Sequence, residues 1–232
     1  MGSWCYRATR DLGHSLCWPF CRLHIWRAPG AVDPAGAAVL VANHISHFDP
    51  LFLTIAFKRT IDWMTTEEFY ANPLLAAWLR AVNTFPVDRS RPDRRVLRLG
   101  LERLRAGRMV GVFPEGGIRA GATSILEGVA PKSGATALAR LAGAAIIPCV
   151  ILGTDRLYAK SSWWPGPPRT PVWVTIGAPL SVMGLKSDQA KVLLAGALRQ
   201  VYAATIAHFS LRPDDLPTTP QRRKGRDREA VA

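Results

Sequence analysis

The stretch Asn43-His44-Ile45-Ser46-His47-Phe48-Asp49-Pro50 holds the residue types that acid–base chemistry needs. It follows a short apolar run, Ala37 to Ala42, that reads as a buried strand. It leads into a helix whose start is marked by Asp49 as N-cap and Pro50 at the first helical position. In open α/β sheets, the end of a strand before a helix is where ligands bind. His44 and Asp49 are too far apart in sequence to share a face of a regular helix, but a turn after the strand can bring them together. A carboxylate against one imidazole nitrogen fixes the tautomer and leaves the other nitrogen as a base. Such a base acting on a hydroxyl contributes roughly 10²–10⁴ in rate. Two other readings stay open. Asp49 can serve only as a helix cap, or His44, His47 and Asp49 can ligate a metal. The other histidines (His14, His24, His208) bring no acidic cluster with them, so no metal is expected. His47 reads as structural or as a minor pocket residue.

Three further pieces sit at strand ends. Phe113-Pro114-Glu115-Gly116-Gly117-Ile118-Arg119 follows the apolar run Met109 to Phe113. Gly116 and Gly117 let backbone approach a ligand closely. Arg119 can take a phosphate bidentately, and Glu115 can orient Arg119 or a substrate hydroxyl. The alternative is a surface turn with an exposed ion pair. Phe85-Pro86-Val87-Asp88-Arg89 is an extended piece ending in charge, and Arg89 is a candidate for a second phosphate contact. Ile146-Ile147-Pro148-Cys149-Val150 is a strand whose proline marks an edge or a strand start, because it cannot donate a ladder hydrogen bond.

The elements around these pieces alternate. Ile61–Met64, Thr84–Val87, Met109–Phe113, Ala145–Leu152 and Val172–Ile176 read as strands. Leu51–Phe57, Glu67–Val82 (interrupted at Asn72-Pro73), Pro92–Ala106, Ser133–Ala142 and Ser187–Phe209 read as helices. The pattern predicts an α/β domain whose sheet is mostly parallel or mixed and flanked by helices. An amphipathic helical segment, 1–30, precedes it; the domain spans 31–212, and 213–232 reads as a disordered basic tail. In the N-terminal segment, Trp4, Tyr6, Trp18, Phe20 and Trp26 are interleaved with Arg7, Arg10, Arg22 and Arg27. That mixture suits a helix lying at a membrane interface, or one packed on the domain, or both.

Thirty Lys and Arg against 17 Asp and Glu give a formal charge of +13, which favours anionic partners. The arginines are scattered and no nucleic-acid-binding motif is present, so nucleic acid is not expected. Cys5, Cys17, Cys21 and Cys149 lack metal-ligand spacing and read as free thiols. The longest uncharged apolar stretch, Leu141 to Gly153, is too short to span a bilayer. Arg7, Arg10 and Asp11 argue against a signal peptide at the N-terminus.

In this order and at these separations, the four pieces resemble the glycerolipid acyltransferase family, which includes 1-acyl-glycerol-3-phosphate acyltransferases. The family pattern is Asn-His-x4-Asp, then a Pro-Val-Asp-Arg-like block, then Phe-Pro-Glu-Gly-Thr-Arg, then an apolar stretch with a central proline. The resemblance runs from Val39 to Leu180. Lys132-Ser133-Gly134-Ala135 and Ile176-Gly177-Ala178-Pro179 also look like family segments. The resemblance implies acyl transfer from acyl-coenzyme A or an acyl carrier protein to the hydroxyl of a lysophospholipid. The default acceptor is 1-acyl-glycerol-3-phosphate, which would give phosphatidic acid in phospholipid biosynthesis. It implies His44 as general base and Asp49 as its orienting partner. Arg89 and the loop from Glu115 through Gly116 and Gly117 to Arg119 would hold the acceptor phosphate, and Pro148 would shape the acyl-donor site. No cofactor or metal is implied, because a thioester is already activated. The expected partners are a membrane lipid, an anionic membrane surface and an acidic acyl carrier protein. The expected place is the cytoplasmic face of a membrane, as a peripheral or monotopic protein. Two features depart from the pattern. Gly117 and Ile118 stand where the family has Thr and Arg, and Thr65 and Thr66 occupy the region of its usual lysine. Water activation by the same dyad and a non-enzymatic membrane-binding module are the competing functions; no Gly-x-Ser-x-Gly elbow supports a serine hydrolase.

Overall fold

A computed structural model describes residues 2–87 and 94–218. Among the described residues the strands are β1 (Cys21–Arg27), β2 (Ala38–Ala42), β3 (Ile61–Thr66), β4 (Phe85–Val87), β5 (Met109–Val112), β6 (Ala145–Leu152) and β7 (Thr170–Ile176). They form one sheet in the order β1-β7-β6-β2-β5-β3-β4. Every neighbouring pair is parallel except β6 with β7, which run antiparallel. The helices are α1 (Gly2–Cys17), α2 (Asp49–Ala56), α3 (Pro73–Ala81), α4 (Arg94–Arg105), α5 (Gly134–Ala142) and α6 (Ser187–Phe209).

β2 lies mid-sheet and all five of its residues are buried, as expected of a parallel strand covered on both faces. The pleat divides it. Val39 and Val41 face a core with Leu104 of α4, Leu138 of α5 and Leu194 and Leu198 of α6. Leu40 and Ala42 face Phe52, Leu53 and Phe57 on the α2 side. The α-helices therefore pack on both faces and leave the C-terminal ends of the parallel strands open between α1, α2 and α3.

Helix α6 is long and apolar enough to cross a membrane by length and composition alone. It is docked on β6, with Leu194, Leu198, Val201 and Tyr202 buried in the core.

Four sequence expectations need correction. Residues 21–27 are not helical. They form edge strand β1, in register with β7 from Cys21–Thr170 to Arg27–Ile176, so the sheet begins inside the segment assigned to an N-terminal helix. Pairing with β7 along the whole segment outweighs the local pattern. Pro148 marks neither an edge nor a strand start. It sits within β6, paired with Val41 of β2, and pairing with β7 starts only at the next residue, Cys149. The gap in that ladder is where the missing N–H goes unrequired. Asp49 does not cap α2: the N-cap is Phe48, without a side-chain bond. Finally, Pro213–Asp215 forms a 3-10 turn, held by an Arg156–Asp215 ion pair at 2.8 Å and by Thr218 N–H donating to Asp155 at 3.0 Å. The ordered chain therefore extends past 212.

Helix α1 is packed on the domain. Tyr6 is buried and its hydroxyl accepts the Ile61 N–H at 2.9 Å. Gly13 sits on Leu51 of α2, where a Cβ would lie 2.6 Å from Cδ1. Trp78 of α3 donates its indole N–H to Thr9 at 3.3 Å. α1 and the turn after it leave Trp4, Leu12, Leu16 and Trp18 exposed.

Candidate active site

β2 stops at Ala42, and the Asn43 side chain takes over its pairing. Its amide donates to the Ile151 carbonyl and its oxygen accepts the Ile151 N–H, both at 2.9 Å. A side chain thus replaces backbone in the β2–β6 ladder, and the main chain is released to turn. The turn is organised around Asp49. Its Oδ2 accepts the Ile45 N–H at 2.7 Å, the Ser46 N–H at 2.8 Å and the His44 Nδ1–H at 2.9 Å. Its Oδ1 accepts the Thr154 hydroxyl at 2.5 Å. Asp49 is wholly buried, and four donors compensate the buried carboxylate. This demand explains why Asp49 faces back onto the loop instead of capping α2.

His44 is 5% exposed. A carboxylate only accepts, so the imidazole proton lies on Nδ1 and the lone pair on Nε2. Phe113 stacks on the imidazole with centroids 4.1 Å apart, and Trp63 stacks on Phe113 at 5.0 Å. The indole N–H of Trp63 donates to Thr54 of α2 at 3.0 Å. The Trp63 ring fits only because position 111 is glycine: a Cβ there would lie 2.4 Å from Cε3. A mostly apolar cavity of about 620 Å³ opens beside His44. Leu51, Thr54, Trp63, Met64, Leu75, Trp78, Leu79 and Val82 line its walls. Tyr6, Thr9 and Arg10 of α1 close one side, and His47, Thr65, Thr66 and Ile118 also face it.

The predicted substrate-binding residues have other places. Glu115 is a bracket. One oxygen accepts the His44 N–H at 2.7 Å, and the other accepts the Ser124 hydroxyl at 2.7 Å and the Ile125 N–H at 2.8 Å. Burial raises its carboxyl above the usual value, opposed by the hydrogen bonds from Ile125, Ser124 and His44. All three of these bonds are to the fold and none is to Arg119. Arg119 fixes the loop through its backbone, whose N–H donates to the His44 carbonyl at 2.8 Å. Its exposed side chain lies along the Ile118 carbonyl, outside the cavity lining, and Ile118 faces the cavity instead. Gly116 has φ +69°, and a Cβ there would meet the Lys132 ammonium. Gly117 has open space around it. Pro148 is buried in the sheet and does not line the cavity. Asp88 and Arg89 lie outside the described residues.

Every backbone N–H from His44 to Asp49 is occupied. Besides the bonds to Glu115 and Asp49, the His47 N–H meets the Tyr158 hydroxyl, the Phe48 N–H the Ser46 hydroxyl and the Asp49 N–H the Ser46 carbonyl. Sequence reading passed over Thr154, Tyr158, Ser124 and the α1 contacts, which have no local signal.

A dyad at a strand end, beside an apolar cavity, can be compared with known proteins. The profile of the family described as Acyltransferase matches residues 27–152. The chain belongs to this family. The match spans β2 through β6 and contains both His44 and Asp49. Among similar curated proteins, the 1-acyl-sn-glycerol-3-phosphate acyltransferase of Bacillus subtilis (strain 168) is 28% identical over 122 residues, covering 52% of this chain and 58% of that protein. The protein of the same name from Streptococcus pneumoniae is 25% identical over 150 residues, covering 64% and 52%. The chain thus spans just over half the length of the curated relatives it matches. The crystal structure of the 1-acyl-sn-glycerophosphate acyltransferase PlsC from Thermotoga maritima superposes with a TM-score of 0.64 at 23% identity, covering 86% of this chain and 79% of that one. It shows the same fold, and the glycerolipid acyltransferase resemblance read from the motifs holds.

Proposed function

We propose that this acyltransferase moves a fatty acyl group from a thioester donor, acyl-coenzyme A or acyl carrier protein, to the free hydroxyl of 1-acyl-glycerol-3-phosphate. The product would be phosphatidic acid. The observation that carries the reading is the buried His44–Asp49 pair, with Nε2 as the basic nitrogen, beside an apolar cavity suited to an acyl chain. His44 Nε2 takes the proton of the acceptor hydroxyl as its oxygen attacks the thioester carbonyl. The tetrahedral intermediate collapses with loss of the C–S bond, and the imidazolium returns its proton to the leaving thiolate. Donors for the oxyanion come from outside the His44–Asp49 loop, whose N–H groups are all engaged. A supporting candidate is the N–H of Ile118, which lines the cavity. The names of the relatives support the choice of acceptor.

The protein acts at the cytoplasmic face of a membrane in phospholipid biosynthesis, as a peripheral or monotopic protein. Support comes from the exposed Trp4, Leu12, Leu16 and Trp18 on and just after α1, which borders the cavity, and from the +13 charge. The test is free-thiol release from palmitoyl-coenzyme A with and without 1-acyl-glycerol-3-phosphate, beside a His44→Ala control. Release that requires both acceptor and His44 is expected. Acceptor-independent release identifies a hydrolase instead, and full turnover by His44→Ala refutes the dyad.

A further inference from the structure

We infer that Thr154 is a positioning residue for the reaction, acting through Asp49. Its hydroxyl fixes the carboxylate that holds His44 as the base. The inference rests on the acyl-transfer reading above. Three N–H donors crowd Oδ2 of Asp49, and Oδ1 takes the Thr154 hydroxyl at 2.5 Å. Thr154 and Asp49 are both wholly buried. The direction of the bond is determined, because an ionised carboxylate has no proton to give and the hydroxyl must donate.

The chain delivers Thr154 to this place by a constrained route. β6 ends at Leu152, and Gly153 adopts φ +89° with the Pro171 carbonyl 2.2 Å from where a Cβ would sit. No other residue type fits that approach. Thr154 then opens a 3-10 turn, Thr154–Tyr158, which is braced from both sides. Tyr158 meets the backbone N–H of His47 at 3.0 Å, and Arg156 pairs with Asp215 at 2.8 Å. The Thr154 hydroxyl is thus the contact that the end of β6 makes with the Asp49 carboxylate itself. Turning the carboxylate out of its plane forfeits the bond to Nδ1–H, and the imidazole is then free to leave the attacking orientation. Thr154 touches no reacting atom, so its effect falls on turnover and not on substrate binding.

The test uses the full chain with Thr154→Val, which keeps the shape, Thr154→Ala, which leaves room for a water in case the valine variant does not fold, and Thr154→Ser, which keeps the hydroxyl. Wild-type turnover that depends on His44 is established first; its absence overturns the acyl-transfer reading and not this one. For Val or Ala, kcat is expected to fall about 10- to 100-fold, from loss of a hydrogen bond to a charged group. KM for donor and acceptor should be unchanged, and Ser should restore kcat to within about threefold of wild type. In an Asp49→Asn background the Thr154→Val substitution should cost clearly less kcat than it does alone, because the charge that Thr154 holds in place is already gone. A readout independent of activity is the low-field proton resonance of His44 Nδ1–H, which shifts in Val and Ala but not in Ser. Wild-type kcat in Thr154→Val, an equal loss in the Asp49→Asn background, or an unmoved Nδ1–H resonance each overturns the inference.

Discussion

Replacing Asp49 by Asn is the sharpest perturbation of the site. The carboxylate accepts four hydrogen bonds, three at Oδ2 and one at Oδ1. An amide oxygen can stand where Oδ2 stands, but the amide NH₂ must then face Thr154. The Thr154 hydroxyl can reverse and accept from it, so the geometry survives. The opposite placement would point NH₂ at three N–H groups. What is lost is the negative charge beside the imidazolium that forms when His44 takes the acceptor proton. A neutral bond in place of a charge-assisted one removes about half its value, about 1–1.5 kcal/mol for the strongest contact. Failure to stabilise the developing imidazolium brings the expected fall in kcat to about 10²–10⁴-fold. KM should change little, because Asp49 touches no substrate. The assay is thiol release at saturating donor and acceptor, with melting curves recorded in parallel. A well-folded Asp49→Asn protein that retains kcat within tenfold of wild type would falsify the dyad's role, whatever the fate of His44→Ala.

Three further outcomes follow from the packing. Gly111→Ala places a methyl group inside the Trp63 ring position, so it should cost about 1–3 kcal/mol in a thermal melt and lower turnover by disturbing the Trp63–Phe113–His44 stack. Glu115→Gln should destabilise by about 1–3 kcal/mol, since one of its three donors loses an acceptor, whereas Arg119→Ala should leave the melt and the acceptor KM within about twofold; acceptor titrations and melts on the two variants check both. Asp62 is buried against Arg108 at 2.6 Å and Arg103 at 3.3 Å, yet desolvation outweighs both arginines and pushes its carboxyl from 3.8 up to about 6. A raised pKa means the folded state binds more protons between those values, so this contribution to stability is present below 3.8 and lost as pH rises through about 6. Denaturant midpoints of wild type relative to Asp62→Asn should therefore fall across that window, by at most about 1.4 kcal/mol per pH unit, and a flat difference would contradict the burial argument.

Much of the fold was legible because its signals are local. β6 and α6 appear with the bounds read from their apolar runs. Gly143 ends α5 in the left-handed conformation, and Asn72 caps α3 by accepting from Leu74 and Leu75. β1 was missed because its strand character is decided by β7, far along the chain. Pro148 was misplaced because a one-sided gap in a ladder leaves no trace in composition. His44 and Asp49 were readable because six consecutive residues carry both groups and the turn between them. Glu115 and Arg119 were readable as a motif but not in their roles. Which donors a carboxylate satisfies, and whether a guanidinium or an isoleucine turns toward a cavity, depend on neighbours such as Ser124 and the His44 carbonyl.

By itself, then, the sequence determined the alternation of strands and helices, the acyltransferase motif and the pair of groups that could act as base and orienter. All of these are written in periodicity and short-range spacing. Tertiary structure alone decided that Thr154 completes the shell of Asp49, that Glu115 is a bracket, and that α1, α2 and α3 enclose the cavity. Those outcomes depend on contacts between residues distant in sequence, set by desolvation and by the need to satisfy each buried donor and acceptor, and one-dimensional spacing carries neither.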